Sequence, residues 1–306
     1  MDGPIASCYA HDMVASVEHV EKVIEMMRTA TARNLECPSR VGNVIELDED
    51  NGEDVLVAAD LHGNRINFEK LLATADLSNN PRRHLVTQEV CHGGPTYPAG
   101  GCMSHLLLED VANLKIAFPD RFHFILSNHE LAELTDFAIM KSGKMLNLTF
   151  REGIQQLYGS KSEDVRTAYL EFLASCPLAV RLGCDVLICH SIPEKVDREG
   201  FDFEILRRQL EHCDFKPRGP VFRLVWGRDF REENAIAFAT LANAKLLVHG
   251  HEPCADGFQV PNTTQVILDC CSEEACYAIL PTHGRVSQQE IVARISKLHP
   301  KPVRDE

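Results

Sequence analysis

The sequence predicts an α/β fold, in which β-strands alternate with α-helices. Apolar residues recur with a strand period in some segments and with a helix period in others, and the two patterns alternate along most of the 306 residues. Apolar residues make up 44% of the chain, which is enough to bury a sizeable core. No internal repeat or low-complexity linker divides the chain. We therefore expect one large α/β domain.

The N-terminal part of the chain predicts a helix and two strands. Apolar residues at helical spacing in residues 14–33 predict an amphipathic helix that packs on the core. Residues 44–59 predict two strands joined by a turn at Asn51-Gly52. The second of these strands is expected to end on Asp60.

Further helices and strands alternate over the rest of the chain. Helices are predicted at residues 66–75, 103–118, most of 131–176, 203–212 and 233–243. Strands are predicted at residues 84–87, 122–126, 177–182, 185–189, 245–248, 265–268, 276–280 and 285–292, with those at 177–182 and 185–189 paired. The segment after residue 298 has no such pattern, and we expect a flexible tail there.

Composition and charge argue against several functional classes. The formal net charge of −14 would repel a nucleic-acid backbone or an anionic membrane, and no stripe of Lys and Arg compensates for it. No stretch approaches the roughly 18 consecutive apolar residues of a membrane span, and no signal-peptide pattern is present. The 12 cysteines include no CxxC pair, which favours reduced thiols. We expect a cytoplasmic protein with no nucleic-acid or membrane partner.

Side chains of the types that bind metals follow five of the predicted strands. They are Asp60 with His62, Glu89, Asn128 with His129, His190, and His249 with His251. The strand ends of an open α/β sheet converge on one crevice, so residues far apart in sequence can meet there. A single histidine after a strand is usually a hydrogen-bonded structural residue, but five such positions together predict a metal site.

Four short motifs carry a resemblance to a known family. Residues 59–64 (ADLHGN), 127–130 (SNHE), 189–190 (CH) and 250–253 (GHEP) resemble, in the same order, the GDxHG, GNHE, single-histidine and GH motifs of calcineurin-like metallophosphoesterases. Residues 107–130 and 173–190 resemble the corresponding stretches of PPP-type serine/threonine protein phosphatases. The resemblance covers roughly residues 55–280 and implies a four-layer metallophosphoesterase-like fold, two mixed β-sheets packed together and flanked by helices.

The resemblance also implies a set of ligands for two divalent metal ions. The implied ligands are Asp60, His62 and Glu89 for the first ion, and Glu89, Asn128, His190 and His251 for the second. Glu89 stands where the family has the bridging Asp of its GDxxDRG motif, so its extra methylene changes the reach of the bridge. Mixed oxygen and nitrogen ligands suit Mn, Fe or Zn. Two such ions about 3.5–4 Å apart can share a water, lower its pKa and direct it in line at phosphorus.

Two histidines are expected to act in catalysis beside the metals. By the resemblance, His129 is the general acid that protonates the leaving oxygen, a role that suits the near-neutral pKa of histidine. His92 and Gly93 stand where the DRG motif of the family has an Asp that supports this histidine and an Arg that grips phosphate. His92 is placed with His129 in the catalytic set, but it cannot itself supply the negative charge of the missing Asp.

The missing arginine raises the question of what binds the substrate phosphate. Arg228, in a WGRD stretch that resembles the Trp-Ser-Asp stretch of the family, is the first choice, and Asn128 is the second substrate-binding group. Other possible substitutes are Arg65, Arg207, Arg208 and Arg231. Residues 95–101 (PTYPAGG) are an insertion relative to the family and are expected to reshape the entrance. The role of His249, which is not an expected ligand, stays open.

The expected function is metal-dependent hydrolysis of phosphomonoesters, on a phosphorylated protein or a small phosphate ester. Two alternatives remain open. One is hydrolysis of nucleotide polyphosphates, because diadenosine tetraphosphatases resemble the same family and carry a Gly-His-x-Pro element like residues 250–253. The other is a catalytically impaired, phosphatase-like interaction protein, because the Asp and Arg of DRG are missing. We expect an N-terminal helical extension (residues 1–43), a metallophosphoesterase domain (44–298) and a flexible tail (299–306).

Overall fold

Two mixed β-sheets lie face to face at the centre of the protein, and helices cover their outer faces. This architecture is seen in a computed structural model, which describes residues 14–300. It confirms the predicted four-layer arrangement. Most of the tail expected at residues 299–306 lies outside the described residues, as do the first 13 residues.

Helices and strands alternate through most of residues 14–300. The α-helices are α1 (Val17–Leu35), α2 (Arg65–Ala75), α3 (Ser104–Ala117), α4 (Asn128–Thr135), α5 (Leu146–Tyr158), α6 (Ser162–Ser175), α7 (Val196–Glu199), α8 (Pro220–Trp226), α9 (Glu232–Leu241) and α10 (Gln288–Ala293). The strands are β1 (Arg40–Val41), β2 (Val44–Leu47), β3 (Asp54–Val57), β4 (Arg83–Gln88), β5 (Phe122–Ile125), β6 (Met140–Lys141), β7 (Lys144–Met145), β8 (Ala179–Leu182), β9 (Val186–Cys189), β10 (Leu246–His249), β11 (Phe258–Gln259), β12 (Gln265–Leu268), β13 (Cys276–Pro281) and β14 (Ile295–Lys297). Short 3₁₀ turns cover Gly159–Lys161, Phe203–Leu206 and His212–Phe215.

The order of the strands brings several carboxyl ends to the same region. The larger sheet has the order β1-β2-β8-β9-β10-β12-β11, and the smaller sheet has the order β14-β13-β3-β4-β5. β3, β4 and β5 are parallel to one another, and so are β9, β10 and β12. Each sheet therefore offers a row of carboxyl ends at one edge, which is where ligands bind in α/β proteins.

Side-chain alternation divides the buried strand residues between two layers of core. Val55 and Val57 of β3 share one apolar cluster with Val186 and Ile188 of β9, so this cluster fills the space between the sheets. Leu56, which lies between Val55 and Val57 in β3, belongs to a second apolar cluster, and helices cover that cluster. Because both faces of these strands are buried, they are apolar along their whole length rather than at every second position.

The predicted N-terminal helix is present as α1. Ser16 caps it by accepting a hydrogen bond from the backbone N–H of His19, and the helix packs against α3 and α6. Its buried residues include Val20, Val23 and Met27, which belong to the helix-covered core. Among residues 14–300, no helix is both long enough and apolar enough to cross a membrane. The cysteines in the same range form no disulfide.

The expected pair of strands around Asn51-Gly52 is not a hairpin. Both strands form, but β2 pairs with β1 and β8 in the larger sheet, whereas β3 pairs with β4 and β13 in the smaller one. Each strand gains a neighbour on both sides, which an isolated hairpin could not give it. β3 also ends at Val57, so a short irregular segment separates it from Asp60.

Two further expectations about secondary structure are wrong, and a third is confirmed with one interruption. Residues 203–212 contain only a 3₁₀ turn, because Arg208 folds back onto Asp202 and Asp214. Residues 285–292 contain the start of α10 rather than a strand, because Ser287 and Glu290 form a reciprocal capping box that favours a helix start. Residues 131–176 are mainly helical as expected, in α4, α5 and α6, with the hairpin of β6 and β7 as the interruption.

Candidate metal centre

All six predicted metal ligands come together where the carboxyl ends of the two sheets meet. β3, β4 and β5 lead into Asp60 with His62, into Glu89, and into Asn128 at the start of α4. β9 and β10 in the other sheet lead into His190 and His251. Five of the six side chains are almost completely buried; they are Asp60, Glu89, Asn128, His190 and His251.

Glu89 lies at the junction of two groups of potential ligand atoms. Glu89, His190 and His251 form one group, and His62, Glu89 and His129 form the other, with the ligand atoms of each group within 4.8 Å of one another. Glu89 Oε2 lies 3.7 Å from His62 Nε2 and 3.8 Å from His190 Nε2. The glutamate side chain is thus long enough to reach both groups, as a bridging carboxylate must.

Asn128 and Asp60 complete the cluster in different ways. Asn128 Oδ1 lies 2.7 Å from His190 Nε2 and 3.2 Å from His251 Nδ1, so it joins the second group. Asp60 accepts a hydrogen bond from the backbone N–H of His251 at 3.1 Å and lies 3.8 Å from His190 Nδ1. Asp60 is absent from the tight group around His62, in which His129 lies instead.

Hydrogen bonds fix the orientation of two of the histidine rings. His190 Nδ1 lies 2.8 Å from Gln88 Oε1, and because this oxygen only accepts, Nδ1 carries the proton and Nε2 presents its lone pair to Glu89. In the same way, His62 Nδ1 donates to the carbonyl of His92 at 3.1 Å and leaves Nε2 facing Glu89. His251 Nε2 is buried, and no residue among 14–300 hydrogen-bonds to it.

The backbone bends sharply at several of these positions. His62, Glu89, His92 and His251 have φ values of 43°, 51°, 64° and 72°, in the left-handed region that side chains other than glycine seldom adopt. Each such conformation costs about 1–3 kcal/mol and tends to occur at functional sites. The bends turn the side chains out of the strand direction and into the cluster.

Glu130 explains part of the SNHE motif. Its carboxylate accepts hydrogen bonds from the backbone N–H groups of Val90 at 3.0 Å and Cys91 at 2.8 Å, and from the hydroxyl of Ser127. These bonds hold the turn that follows Glu89. Glu130 is therefore a structural support for the bridging position and does not face the ligand atoms.

Gly250 allows the end of β10 to approach Asp60. A Cβ atom at this position would lie 2.3 Å from Asp60 Oδ1 and 2.7 Å from the Cβ of Ala59, and both distances are too short for any side chain. The glycine before His251 is thus required by the close approach of the two strand ends.

The charges in the cluster are those that a divalent cation would complement. Burial and the nearby Glu89 carboxylate raise the pKa of Asp60 well above its usual range, and burial raises the pKa of Glu89 to about 8. Burial also lowers the pKa of His190 well below its usual range and the pKa of His251 to about 3. Metals bind ionised carboxylates and neutral imidazoles. A bound cation would therefore offset the repulsion between the carboxylates of Asp60 and Glu89, and it would bind the two histidines in their neutral form. The donor set fits two divalent ions.

His129 belongs to a chain of three buried groups. It lies in the first turn of α4 with Nε2 at 3.5 Å from Glu89 Oε1, and its Nδ1 lies 2.9 Å from His92 Nδ1. His92 Nε2 in turn lies 2.7 Å from Glu133 Oε1. The Glu133 carboxylate can only accept, so His92 Nε2–H donates to it and His92 Nδ1 accepts from His129 Nδ1–H. His129 Nε2 is then the nitrogen that faces the ligand cluster.

Glu133 is a residue that the sequence reasoning missed. Its carboxylate contacts His92, the residue that stands where the family's DRG motif has an Asp. Asn147 holds Glu133 by donating from Nδ2 to Oε1 at 3.0 Å, and Arg151 Nε lies 4.0 Å from Oε2. Glu133 follows His129 by four residues on one helix, so the spacing could have predicted that the two share a face. Gln88, next to Glu89, was missed as well.

Gly93 cannot be replaced by the missing arginine of the family. It has a φ of 122°, and a Cβ atom there would lie 2.7 Å from the carbonyl oxygen of His62. Any side chain would displace the peptide that follows a proposed ligand. The loss of the DRG arginine is therefore built into the backbone of this loop.

Arg228 lies near the cluster and is ion-paired. Its Nη1 donates to Glu252, and about half of the side chain is exposed. Its charge adds to the effect of burial in lowering the pKa of His251 and opposes the effect of burial on the pKa of Glu89.

Three of the other arginines that the sequence suggested form ion pairs with carboxylates. These pairs are Arg65 with Asp110, Arg208 with Asp202 and Asp214, and Arg231 with Asp197 and Asp229. Arg207 is exposed and lies against Gly42.

The insertion at residues 95–101 and His249 both have structural partners. The backbone N–H of Tyr97 donates to Gly101 at 3.0 Å, and the Tyr97 hydroxyl lies 2.9 Å from His105 Nε2 on α3. His249 is buried, with Nδ1 at 3.0 Å from the carbonyl of Gly250 and Nε2 at 3.1 Å from Gln265 Nε2. Both nitrogens of His249 are occupied by these partners, which leaves none to bind a metal.

Comparison with known proteins identifies the family. The model of the calcineurin-like phosphoesterase family matches residues 54–255, a segment that contains all six predicted ligands. A serine/threonine phosphatase from Saccharomyces cerevisiae, described as similar to human phosphatase PP5, has a similar structure, with a TM-score of 0.66, 16% identity, and coverage of 94% of this chain and 91% of that one. A cold-active protein-tyrosine phosphatase of a psychrophilic Shewanella species gives a TM-score of 0.55 at 14% identity, covering 80% of this chain and 78% of that one. None of the curated protein sequences gives a significant match.

The structural similarity, at these low identities, concerns the fold. The family assignment comes from the matched segment and agrees with the ligand groups that meet at Glu89. Members of the family depend on a pair of metal ions. The chain therefore belongs to the calcineurin-like phosphoesterase family and is a metal-dependent phosphoric ester hydrolase.

Proposed function

We propose that this protein hydrolyses phosphomonoesters. The observation that carries the proposal is the position of Glu89, which belongs to two groups of ligand atoms and lies 3.5 Å from His129 Nε2. A shared carboxylate beside a histidine provides both a place for two cations and a proton donor for the leaving oxygen. Both are needed to break the ester bond of a leaving group that cannot depart as an anion.

The proposed ligands keep the division that the family resemblance implies. They are Asp60, His62 and Glu89 for one ion, and Glu89, Asn128, His190 and His251 for the other. When bound, Mn, Fe or Zn ions would supply an activated water and offset charge on the phosphate. Gln88 keeps the His190 ring turned so that Nε2 is free to bind.

His129 is the proposed general acid, and His92 with Glu133 positions it. In its protonated form His129 donates Nδ1–H to His92, which donates Nε2–H to Glu133. The remaining proton of His129, on Nε2, is directed at the cluster and passes to the leaving oxygen as the ester bond breaks. His129 then stays neutral, with its Nδ1–H still bonded to His92. In this arrangement His92 and Glu133 restore the support that the DRG aspartate gives in the family.

Arg228 and Asn128 are the proposed phosphate-binding groups. Glu252 accepts a hydrogen bond from Nη1 of Arg228, and a guanidinium has five N–H donors, so others remain for a phosphate oxygen. The Nδ2 group of Asn128 can donate to the same phosphate while Oδ1 faces His190.

The proposed substrates are phosphorylated proteins or small phosphate esters, hydrolysed in the cytoplasm. Support for a protein substrate comes from the similar solved structures, which are serine/threonine and tyrosine protein phosphatases. The reduced cysteines among residues 14–300 support the cytoplasm. A nucleotide polyphosphate remains the second candidate, because residues 250–253 resemble the Gly-His-x-Pro element of diadenosine tetraphosphatases.

The deciding experiment compares substrates in the metal-loaded protein. Phosphate release from a phosphoserine peptide, from an aryl phosphate and from diadenosine tetraphosphate would be measured with Mn²⁺ and again with a chelator. We expect metal-dependent turnover of the peptide and the aryl phosphate, and loss of that turnover in His190→Ala. Cleavage of diadenosine tetraphosphate alone would replace this proposal with the second candidate.

A further inference from the structure

The two-stranded hairpin that follows α4 carries an unusual pair of lysines. β6 and β7 are joined by Ser142 and Gly143, both with positive φ, as the tightest hairpin turns require. In the register of this hairpin Lys141 is directly opposite Lys144. Cross-strand partners share one face, so the two ammonium groups project from the same side of the hairpin.

Neither lysine has an acidic partner in the part of the chain that the structure describes. Both side chains are exposed, and no carboxylate of residues 14–300 lies within 4.0 Å of either ammonium group. Like charges directly opposite each other destabilise a hairpin. In a protein with a net charge of −14 most lysines could find a carboxylate, so an unpaired pair in this position provides a local site for an anion.

The base of the hairpin is tied to the carboxylate that positions His129. The backbone N–H of Ile139 donates to Asn147 Oδ1 at 3.0 Å, and Leu146 N–H donates to the carbonyl of Ile139 at 2.8 Å. The other end of the Asn147 amide donates to Glu133 Oε1 at 3.0 Å. One side chain thus joins the hairpin to the chain of groups that ends at His129.

The Asn147 link places the base of the hairpin at the Glu133 end of the chain of groups that leads to His129. Burial lowers the pKa of His129 well below its usual range, and the nearby histidines, followed by Lys141, add to this effect. Arg228 acts instead on His251, which belongs to the other group of ligand atoms, and on Glu89, which the two groups share. The hairpin and Arg228 are therefore separate cationic elements, and the hairpin is the one linked through Asn147 to the groups that position the proposed general acid.

We propose that Lys141 and Lys144 bind an anionic group, a carboxylate or a second phosphate, that the substrate carries on its leaving group. This inference rests on the proposed function, because the leaving group is the part of the substrate that faces the general acid His129. It predicts a preference for esters whose alcohol is itself acidic over esters of neutral alcohols.

Binding of non-hydrolysable phosphonates to the metal-loaded protein tests the inference. Calorimetry would compare benzylphosphonate with its 4-carboxy and 4-phosphonomethyl derivatives, whose second anions distinguish a carboxylate from a phosphate. We expect the better of the two charged derivatives to bind roughly 3- to 10-fold more tightly than benzylphosphonate, as two exposed ion pairs allow. The preference should shrink in 1 M salt, where the Debye length is about 3 Å.

A double variant, Lys141→Gln with Lys144→Gln, tests whether these two lysines bind the second anion. The single variant Lys245→Gln is the matched control. Lys245 precedes β10, at the opposite end of that strand from His249, and pairs with Asp185 at 2.6 Å. The double variant should bind benzylphosphonate and its charged derivatives about equally, whereas the control should keep the preference. Because all three lysines are exposed, we expect the variants to fold, and circular dichroism would check this.

Two outcomes would overturn the inference. One is a wild-type protein that binds charged and neutral phosphonates equally, or binds none of them. The other is a double variant with an undiminished preference. Hydrolysis of phenyl phosphate, measured in parallel, separates this result from the proposed function: a binding preference without hydrolysis would reject only the proposed activity, and hydrolysis without a preference would reject only the lysine site.

Discussion

Replacement of Glu133 by Gln tests whether a carboxylate acts on His129 through His92. Glu133 and His92 are almost fully buried and lie 2.7 Å apart, so the charge of Glu133 is poorly screened by water. Gln keeps the shape and can still accept from His92 through its amide oxygen, but it removes the charge. We expect Glu133→Gln to fold and bind metal, and to hydrolyse esters of poor leaving groups more slowly.

The size of the effect follows from the distance between the charges. Two hydrogen bonds and one imidazole ring separate Glu133 from the ring of His129, which is roughly 8 Å, and at an effective dielectric constant of about 20 this gives about 2 kcal/mol. If the protonated form of His129 loses that stabilisation, the rate falls roughly 30-fold for an alkyl phosphate. The loss should be smaller for 4-nitrophenyl phosphate, whose leaving group needs little protonation.

The assay is a comparison of kcat/KM against pH for an alkyl and an activated aryl phosphate. A general acid must be protonated, so activity falls as pH rises through its pKa. Loss of the Glu133 charge lowers that pKa, and the alkaline limb should move to lower pH in the variant. Glu18→Gln, an exposed residue on α1, makes the same change of charge far from the chain of buried groups and should have no effect. Equal slowing on both substrates, or an unmoved alkaline limb, would refute the role of Glu133.

Three other substitutions test separate parts of the site. His251→Ala should lower the metal content from two ions per chain towards one in elemental analysis, and unchanged content with unchanged activity would reject His251 as a ligand. His129→Asn should keep both metals and slow hydrolysis of poor leaving groups by about 10²–10⁴-fold, whereas a loss of metal would make His129 a ligand, as its place in the group around His62 allows. Gly93→Arg should lower the melting temperature rather than the KM for phosphomonoesters, because its Cβ would press on the carbonyl of His62; a lower KM would show that the loop can adapt.

A metal site could be predicted from the sequence because polar side chains follow several strands, and the resemblance to the family supplied the ligand set. Asp60 with His62, Asn128 with His129, and His251 each follow a strand within a few residues, and strand ends of α/β sheets converge. Glu89 could be assigned by its place between the first two motifs. The geometry of strand ends predicted that these positions meet, and the family resemblance supplied which of them are ligands. The structure brings His62 and Glu89 into one group and Glu89, His190 and His251 into another.

The groups that orient the ligands could not be predicted in the same way. Gln88 contacts His190 across 102 residues, and Asn147 reaches Glu133 from the following helix, so neither pairing has a local sequence pattern. Glu133 differs, because its spacing from His129 along α4 is a helical one that could have been used. Glu133 was not predicted because support for His129 was expected only at the DRG position, where this chain has His92.

The distribution of strands between the two sheets could not be predicted from the sequence either. β2 and β3 are both apolar and are separated by a turn sequence, which is the usual pattern of a hairpin. Local patterning shows that a strand is buried but does not identify its neighbours, and in this fold the neighbours are β8 and β4, which come later in the chain. The short hairpin with Lys141 and Lys144 was missed because four strand residues between helices give almost no periodic signal.

The most direct test of the central claim is a crystal structure of the metal-loaded protein with phosphate, in which anomalous scattering locates the metals. The proposed function predicts two ions about 3.5–4 Å apart, both bound by Glu89, with a phosphate oxygen near Arg228 and Asn128. A single ion, or two ions that do not share Glu89, would contradict the claim that this carboxylate bridges a pair of catalytic metals.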